Sequence, residues 1–372
     1  MHDLAAVHTL PAVLELKIPE TARAWVDVDL DALVRNALAY GERVGVPLLP
    51  MVKANGYGLG AVAVARALEA VDPWGFGVVT AAEAIELRRA GIERPILICS
   101  PLLPDAVEYV RAANARPTIG DLDALRAWLA AGDYPFHLEI DTGMARNGFR
   151  HDDSAALAAV ADLVAPAAGF EGAYTHFHSA DGDEAATARQ WQRLHEALAA
   201  IGTRPPLVHA ANSAAGAYGK SYGGDLARPG IHLYGGETPG MVTEPVAAVR
   251  VRVVSVRAVR PGETVSYHGT WTAGAPTTVA TLGVGYGDGV LRALSNCGQV
   301  ELNGEVVPIV GRVTMDHLMV ATGALPVRTG DIATVFGGRV SLDRQAGHAG
   351  TISYELLTAL GARLPRRYQG GG

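Results

Sequence analysis

The run Met51-Val52-Lys53-Ala54-Asn55-Gly56-Tyr57-Gly58 sets a lysine at the carboxyl end of an apolar stretch, followed at once by glycines and a tyrosine. A lysine in such a place can simply lay its methylenes on apolar surface and reach for solvent. Held in a dry pocket, a lysine amine instead loses basicity and condenses with an aldehyde to form a Schiff base. Four further segments bring together polar side chains, glycine and proline: Asp141-Thr142-Gly143-Met144-Ala145-Arg146, Thr175-His176-Phe177-His178, His209-Ala210-Ala211-Asn212-Ser213-Ala214 and Arg228-Pro229-Gly230-Ile231. Asn212, Ser213, Gly230 and Ile231 offer side-chain donors and closely approached backbone N–H groups, which is what a bound phosphate requires. Read singly, Asn-Ser is also a helix N-cap and Arg-Pro-Gly a turn. His176, His178 and Asp181 could approach a metal only with both histidines on one face and a matching third ligand, so no metal is expected.

The elements that must position these segments follow from apolar periodicity. From about Trp25 to Gly235 short apolar runs alternate with Ala- and Leu-rich stretches whose apolar residues recur every three or four positions. Strands are expected at Trp25–Asp29, Leu48–Lys53, Gly75–Val79, Pro95–Cys99, Arg116–Ile119, Phe136–Asp141, Gly172–His176, Pro206–His209 and Ile231–Tyr234, with helices such as Leu33–Val44, Leu122–Ala130 and Ala185–Ile201 between them. Roughly eight strand–helix repeats suit an α/β fold of the closed (β/α)8 TIM-like barrel type better than an open doubly wound sheet, and they place the polar segments at the carboxyl ends of strands, where barrels keep their active sites. Beyond Gly240, short valine-rich runs separated by Gly, Pro and Asn predict a mainly-β C-terminal domain that ends in a helix over Ser353–Leu364. The division expected is a loose N-terminal extension over 1–22, a barrel over 23–240 and the β domain over 241–372.

Composition narrows the partners. Of 372 residues 49% are hydrophobic and 19% charged, the balance of a folded, core-rich chain. With 31 Lys and Arg against 38 Asp and Glu, and no basic cluster denser than Arg363 to Arg367, neither nucleic acid nor an anionic membrane is expected as a partner. Cys99 and Cys297 are too few for a disulfide scaffold or a cysteine-based zinc site, which fits a cytoplasmic protein. No export signal or membrane-spanning run is legible, and Met1 to Glu20 reads as a loose extension.

As a set, Lys53-Ala54-Asn55 with Tyr57-Gly58, Asp141-Thr142-Gly143-Met144 with Arg146, Thr175-His176-Phe177, His209-Ala210-Ala211-Asn212-Ser213, Arg228-Pro229-Gly230-Ile231 and Leu233-Tyr234-Gly235 resemble the alanine racemase family of pyridoxal-phosphate enzymes. The likeness continues through Val265-Ser266-Tyr267, Gly285-Tyr286 with Asp288-Gly289, Gly311-Arg312-Val313 with Met315-Asp316, and Ile352 with Tyr354-Glu355, in the family's order from about Arg23 to Tyr368.

The resemblance implies that Lys53 carries pyridoxal 5'-phosphate as a Schiff base and acts as one of two acid/base groups at the substrate Cα, with Tyr267 as the other on the opposite face. Inverting a carbon needs a proton removed on one side and delivered on the other. A tyrosine, ordinarily near ~10, needs neighbours that favour its phenolate, and the family's polar chain corresponds here to His176, Arg228 and His209. Arg228 is expected beside the pyridine nitrogen, where an arginine cannot stabilise ring protonation as a carboxylate would. The phosphate contacts implied are Tyr57, Ser213, Gly230, Ile231 and Tyr354, with Asn212 in the same run; Arg146 and the backbone near Met315 would hold the substrate carboxylate, and Tyr286 would narrow the entrance. Tyr267, Met315 and Asp316 would reach into a partner's barrel, implying a homodimer with shared active sites and a small amino acid as substrate. Alanine is favoured by a small pocket near Tyr354 and Ile352; racemases of serine or other small amino acids, and a non-catalytic carrier of the cofactor, are the alternatives. In one place the chain departs from many relatives. Where those have a lysine carbamylated by carbon dioxide, this chain has Glu139, whose carboxylate could orient Arg146 without modification.

Overall fold

The structure, a computed structural model, describes residues 22–371. The extension expected over Met1 to Glu20 lies outside the described residues. Chain order begins with β1 (Ala24–Asp29) and continues with β2 (Phe76–Val78), β3 (Ile96–Pro101), β4 (Arg116–Ile119), β5 (Phe136–Asp141), β6 (Phe149–Arg150), β7 (Phe170–Tyr174) and β8 (Leu207–His209). These run in parallel order β2-β3-β4-β5-β7-β8, with β6 added beside β5. Two stretches with no regular ladder complete the ring. Met51 bridges Gly77 and Leu48 bridges Ala227, both parallel, and Asp225 N donates to Val208 O at 2.8 Å. The chain around residues 48–52 therefore stands between β2 and the chain around 225–229, which meets β8, and eight staves close into a barrel. Pro47, Pro50 and Pro229 bring no N–H to these two staves, which is why they are bridges rather than strands.

Side-chain caps start several of the helices. Asp29, Asp121, Asp153 and Asp183 each accept a hydrogen bond from a first-turn N–H, and Thr80 forms a capping box with Glu83. The apolar face of Leu30–Val44 shows the outcome, with Leu33, Ala37, Tyr40 and Val44 fully buried.

Two expectations about the barrel strands are corrected. Trp25–Asp29, expected as the first barrel strand, is β1 of the second sheet. It pairs antiparallel with β9 (Ala247–Val259) and parallel with β17 (Arg366–Gln369), so the start of the chain is fastened to its end. Ile231–Tyr234 is a succession of turns, with Leu233 N on Gly230 O and Tyr234 N on Ile231 O. Those local bonds use the groups a ladder would need.

The second sheet has the order β14-β13-β16-β9-β1-β17, built from β13 (Gln299–Leu302), β14 (Glu305–Pro308) and β16 (Ile332–Thr334). The far part of β9 pairs β12 (Thr277–Leu282), which pairs β15 (Leu318–Ala321), while β10 (Thr264–Val265) and β11 (Trp271–Thr272) form a separate hairpin. The helix expected over Ser353–Leu364 stops at Thr358, where Gly361 N turns back to Asp288 O, and a helix over Leu342–His348 precedes it.

Candidate active site

At the end of the first stave the backbone changes hand. Ala54, Asn55, Gly56 and Tyr57 have φ of 53, 55, 60 and 52°, a left-handed turn that costs a non-glycine residue about 1–2 kcal/mol. Neighbours impose it. Ala54 N donates to Glu83 Oε1 at 2.7 Å, Asn55 Oδ1 accepts from Ala61 N at 3.0 Å, and Gly58 O accepts two bonds from the Arg366 guanidinium at 2.9 and 2.6 Å. Tyr368 Oη adds a bond to Leu59 O at 2.9 Å, and a side chain at Gly58 would collide with Leu357 O. Held this way, the Tyr57 ring stacks on Tyr234 with centroids 4.4 Å apart, and Lys53 borders a cavity of about 310 Å³. Strain this over-determined is typical of functional turns.

The cavity opens at the carboxyl ends of the staves. It brings together nine expected residues, Lys53, Tyr57, Arg146, His176, Asn212, Ser213, Arg228, Gly230 and Tyr354. Its wall also includes Cys99, Ser100, Asn147 and Tyr174, which the sequence reading did not single out. Cys99 and Ser100 lie near the end of β3 and Tyr174 ends β7, so the strand-end rule alone could have found them. His209 and Ile231 are buried but do not line the cavity.

One side of the cavity is a cradle of hydroxyls. Ser213 Oγ accepts from Gly230 N at 2.8 Å and His232 N at 3.3 Å, and any side chain at Gly230 would strike Tyr57 Oη. Tyr354 stands over Tyr57 with ring centroids 6.0 Å apart. Among the described residues no carboxylate lies within ion-pair distance of Lys53, so the amine faces the cavity without a counter-ion. Hydroxyls gathered around a glycine, with an unpaired amine nearby, suit an aldehyde that carries a phosphate.

Another part of the wall is set by Asp141, whose Oδ1 accepts from Gly143 N at 2.9 Å and Ala145 N at 3.1 Å and so shapes the loop that presents Arg146. Arg146 Nη2 lies 4.0 Å from Glu139 Oε1, and the other Glu139 oxygen is buried. Burial pushes the Glu139 carboxyl above its ordinary value, against the pull of Arg146 and Arg228.

Arg228 is buried. It donates to His209 Nδ1 at 2.6 Å and to Thr175 O at 2.9 Å, with its guanidinium carbon 4.7 Å above the Tyr174 ring. Burial, reinforced by Arg228, Arg146 and Lys53, pushes His176 down to about 3, so its ring is neutral. That ring makes no hydrogen bond to Arg228. Of the polar chain expected through His176, Arg228 and His209, the structure forms the Arg228–His209 link.

Three expected residues lie away from the cavity. Tyr267 is 69% exposed, Met315 54% and Tyr286 45%. Tyr267 borders a shallow groove with Thr264, Thr281, Thr314 and Met319. Its turn is held by Ser266, at φ 67° and ψ −175°, whose hydroxyl donates to Arg312 O at 2.7 Å. Tyr286 N donates to Thr314 O and Gly287 N to Met315 O, so the three exposed residues belong to one continuous surface. Beneath it the buried Asp288 carboxylate accepts from Arg23 at 3.1 Å and Arg363 at 2.9 Å, and Arg363 also holds Asp316 at 2.9 Å.

A cradle of hydroxyls and a lysine amine without a counter-ion at the mouth of a barrel, with a β domain following, fit a pyridoxal-phosphate enzyme of the barrel type. The comparisons name the group within that class. The family model described as "Alanine racemase, N-terminal domain" matches residues 28–238, and the model of the corresponding C-terminal domain matches 246–368. The chain belongs to the alanine racemase family. An alanine racemase of Limosilactobacillus fermentum is 40% identical over 92% of this chain and 97% of its own length, and one of Acidiphilium cryptum 37% identical over 91% and 97%. Among solved structures, the alanine racemase of Bartonella henselae with covalently bound pyridoxal phosphate superposes with a TM-score of 0.87 at 29% identity, covering 94% of this chain and 100% of that one. That of D-cycloserine-producing Streptomyces lavendulae gives 0.87 at 31%, covering 94% and 97%.

Proposed function

We propose that the protein interconverts L- and D-alanine with pyridoxal 5'-phosphate held on Lys53. The observation that carries this is the Lys53 amine, free of any counter-ion, in one cavity with the Tyr57, Ser213 and Gly230 cradle and the Arg146 guanidinium. The cofactor, when bound, supplies the electron sink that makes the substrate Cα proton removable. The rest falls to the chain's own side chains. Tyr57, Ser213, Gly230, Tyr354 and, from the same run, Asn212 would hold the phosphate, whereas Ile231, expected with them, lies outside the cavity wall. Arg228, backed by His209, would meet the cofactor's ring as a cation, and the neutral His176 ring borders the same cavity. Arg146 binds the substrate carboxylate as a fork, with Glu139 replacing the carbamate of many relatives. Lys53 takes or returns the proton on one face of Cα.

The opposite face needs a second group. Tyr267 is the candidate, and its exposure in one chain supports a homodimer in which it enters the partner's cavity with Met315, while Tyr286 narrows the entrance. The acid/base pair is then completed between subunits. Tyr354 and the neighbouring Ile352 support a small side-chain pocket and hence alanine. Among the described residues no helix is long and apolar enough to cross a membrane; this and the two unpaired cysteines support a cytoplasmic enzyme. The test is loss of optical rotation with a panel of L-amino acids. Alanine should lose rotation fastest; serine ahead of alanine would move the assignment to another small-amino-acid racemase, and no loss with any of them would leave a carrier of the cofactor.

A further inference from the structure

The buried Arg228 guanidinium has three hydrogen-bond acceptors, His209 Nδ1 at 2.6 Å, Thr175 O at 2.9 Å and Ala210 O at 3.3 Å, and none of them is a carboxylate. A buried cation is expensive unless negative charge lies near it, and Glu139 acts on Arg228 through space. The bond to His209 leads away from the cavity to a second carboxylate. His209 Nε2 lies 2.9 Å from His137 Nδ1, His137 Nε2 lies 3.2 Å from Glu171 Oε2, and that same oxygen accepts from Arg116 Nε at 3.1 Å.

The two ends of this row determine every proton between them. A guanidinium only donates, so His209 Nδ1 is bare and its proton sits on Nε2. That N–H donates to His137 Nδ1, which is therefore also bare, and His137 Nε2–H donates to a carboxylate that only accepts. Reversing either ring, or protonating it twice, would set N–H against N–H inside the barrel. Burial acts the same way, lowering the basicity of both imidazoles and favouring their neutral forms.

The surroundings fit the row closely. His137 and Glu171 are the second residues of β5 and β7, at the end of those strands away from the cavity. Gly172 lies beside His137 in the β5–β7 ladder, and a side chain there would collide with the His137 ring. Tyr174 stacks on His209 with centroids 5.0 Å apart, and Trp74 lies 5.7 Å from His137. Neither His137 nor Glu171 lines the cavity.

We propose that Glu171, itself paired with Arg116, fixes the proton order of His137 and His209, and that this one-way row of hydrogen bonds keeps the Arg228 guanidinium oriented towards the cofactor's ring. His137 and Glu171 are then positioning residues, acting through Arg228. The role at the cofactor rests on the function proposed above; the proton positions do not.

The test is 15N NMR of histidine-labelled enzyme, with and without cofactor, combined with the spectrum of the bound cofactor. Both His137 and His209 should show a protonated Nε2 and a bare Nδ1 between about pH 6 and 8. Glu171→Gln, which keeps an acceptor oxygen but removes the charge, should shift the His137 and His209 signals and the visible absorption of the bound cofactor. It should also lower kcat by roughly 10- to 100-fold, the loss seen when a group standing behind a catalytic ligand is removed, and Glu171→Asp should restore part of it. A proton on Nδ1 of either ring in the wild type overturns the proposal, as does a Glu171→Gln enzyme with unchanged histidine signals and cofactor spectrum. The wild-type tautomers are measurable even if a variant fails to fold. If the tautomers are as predicted but the protein binds no cofactor, the functional reading fails and the proton order of the row stands.

Discussion

The Glu139 carboxylate places one oxygen 4.0 Å from the Arg146 guanidinium and keeps the other buried. A buried carboxylate this sparsely paired calls for an explanation, and orienting Arg146 supplies one. Glu139→Gln is therefore expected to raise KM for alanine by roughly 10-fold, about 1.4 kcal/mol of lost binding, with a smaller change in kcat, and bicarbonate should not activate the wild type. Steady-state kinetics with and without bicarbonate check both statements; activation by bicarbonate, or a Gln variant with wild-type KM, would remove Glu139 from this role.

The same residue sets a pH dependence. Burial raises the Glu139 carboxyl, so its contribution to stability is complete below the ordinary value near ~4.3 and is lost as pH rises through the raised value in the folded protein. Orienting Arg146 requires the anion, so KM for alanine should fall over that same rise. Thermal midpoints of wild type and Glu139→Gln should diverge in the variant's favour across this window. Parallel midpoints from acid to neutral pH would contradict the assignment.

Tyr267 and Lys53 should act on opposite faces of the substrate. In the resembled family the tyrosine faces the hydrogen of L-alanine, so Tyr267→Phe should slow solvent-hydrogen exchange into L-alanine about 10²–10⁴-fold, the usual worth of an acid/base group, and into D-alanine far less. Equal, mild losses in both directions would end the two-base scheme.

Exposure of Tyr267 and Met315 in the single chain predicts sites completed by a second copy. Inactive Lys53→Ala and inactive Tyr267→Phe subunits, mixed under conditions of proven exchange, should regain partial activity. No recovery would mean that each chain carries its own complete site.

Much of the frame was legible before any coordinates. Arg116–Ile119 and Phe136–Asp141 coincide with β4 and β5 because short apolar runs flanked by turn residues specify strands locally. The partner of a strand is not local information, and so β1 was assigned to the wrong sheet. The strand-end rule gathers Lys53, Arg146, His176, Ser213 and Arg228 into one cavity, and Tyr174 and Cys99, which obey the same rule, join them without having been singled out. His137 and Glu171 carry no signal at all in sequence. They lie 34 positions apart, and their link exists only because β5 and β7 are neighbours. Tyr267 was visible through family resemblance alone, since in one chain it touches nothing of the Lys53 site.

The left-handed turn after Lys53 makes a stability prediction. Gly58 has φ 81° and no room beside Leu357 O, so Gly58→Ala should cost more than about 1 kcal/mol and weaken cofactor retention together. Thermal unfolding and dialysis against cofactor-free buffer measure the two losses, and an unchanged midpoint would show that the turn relaxes freely.

The central claim is that Lys53 carries the cofactor on which alanine is racemised. Borohydride reduction of the holoenzyme followed by peptide mapping tests it most directly. The account predicts a pyridoxyl group on the peptide containing Lys53, in step with loss of racemisation. A label on another lysine, or no label on a protein that still racemises alanine, would contradict it.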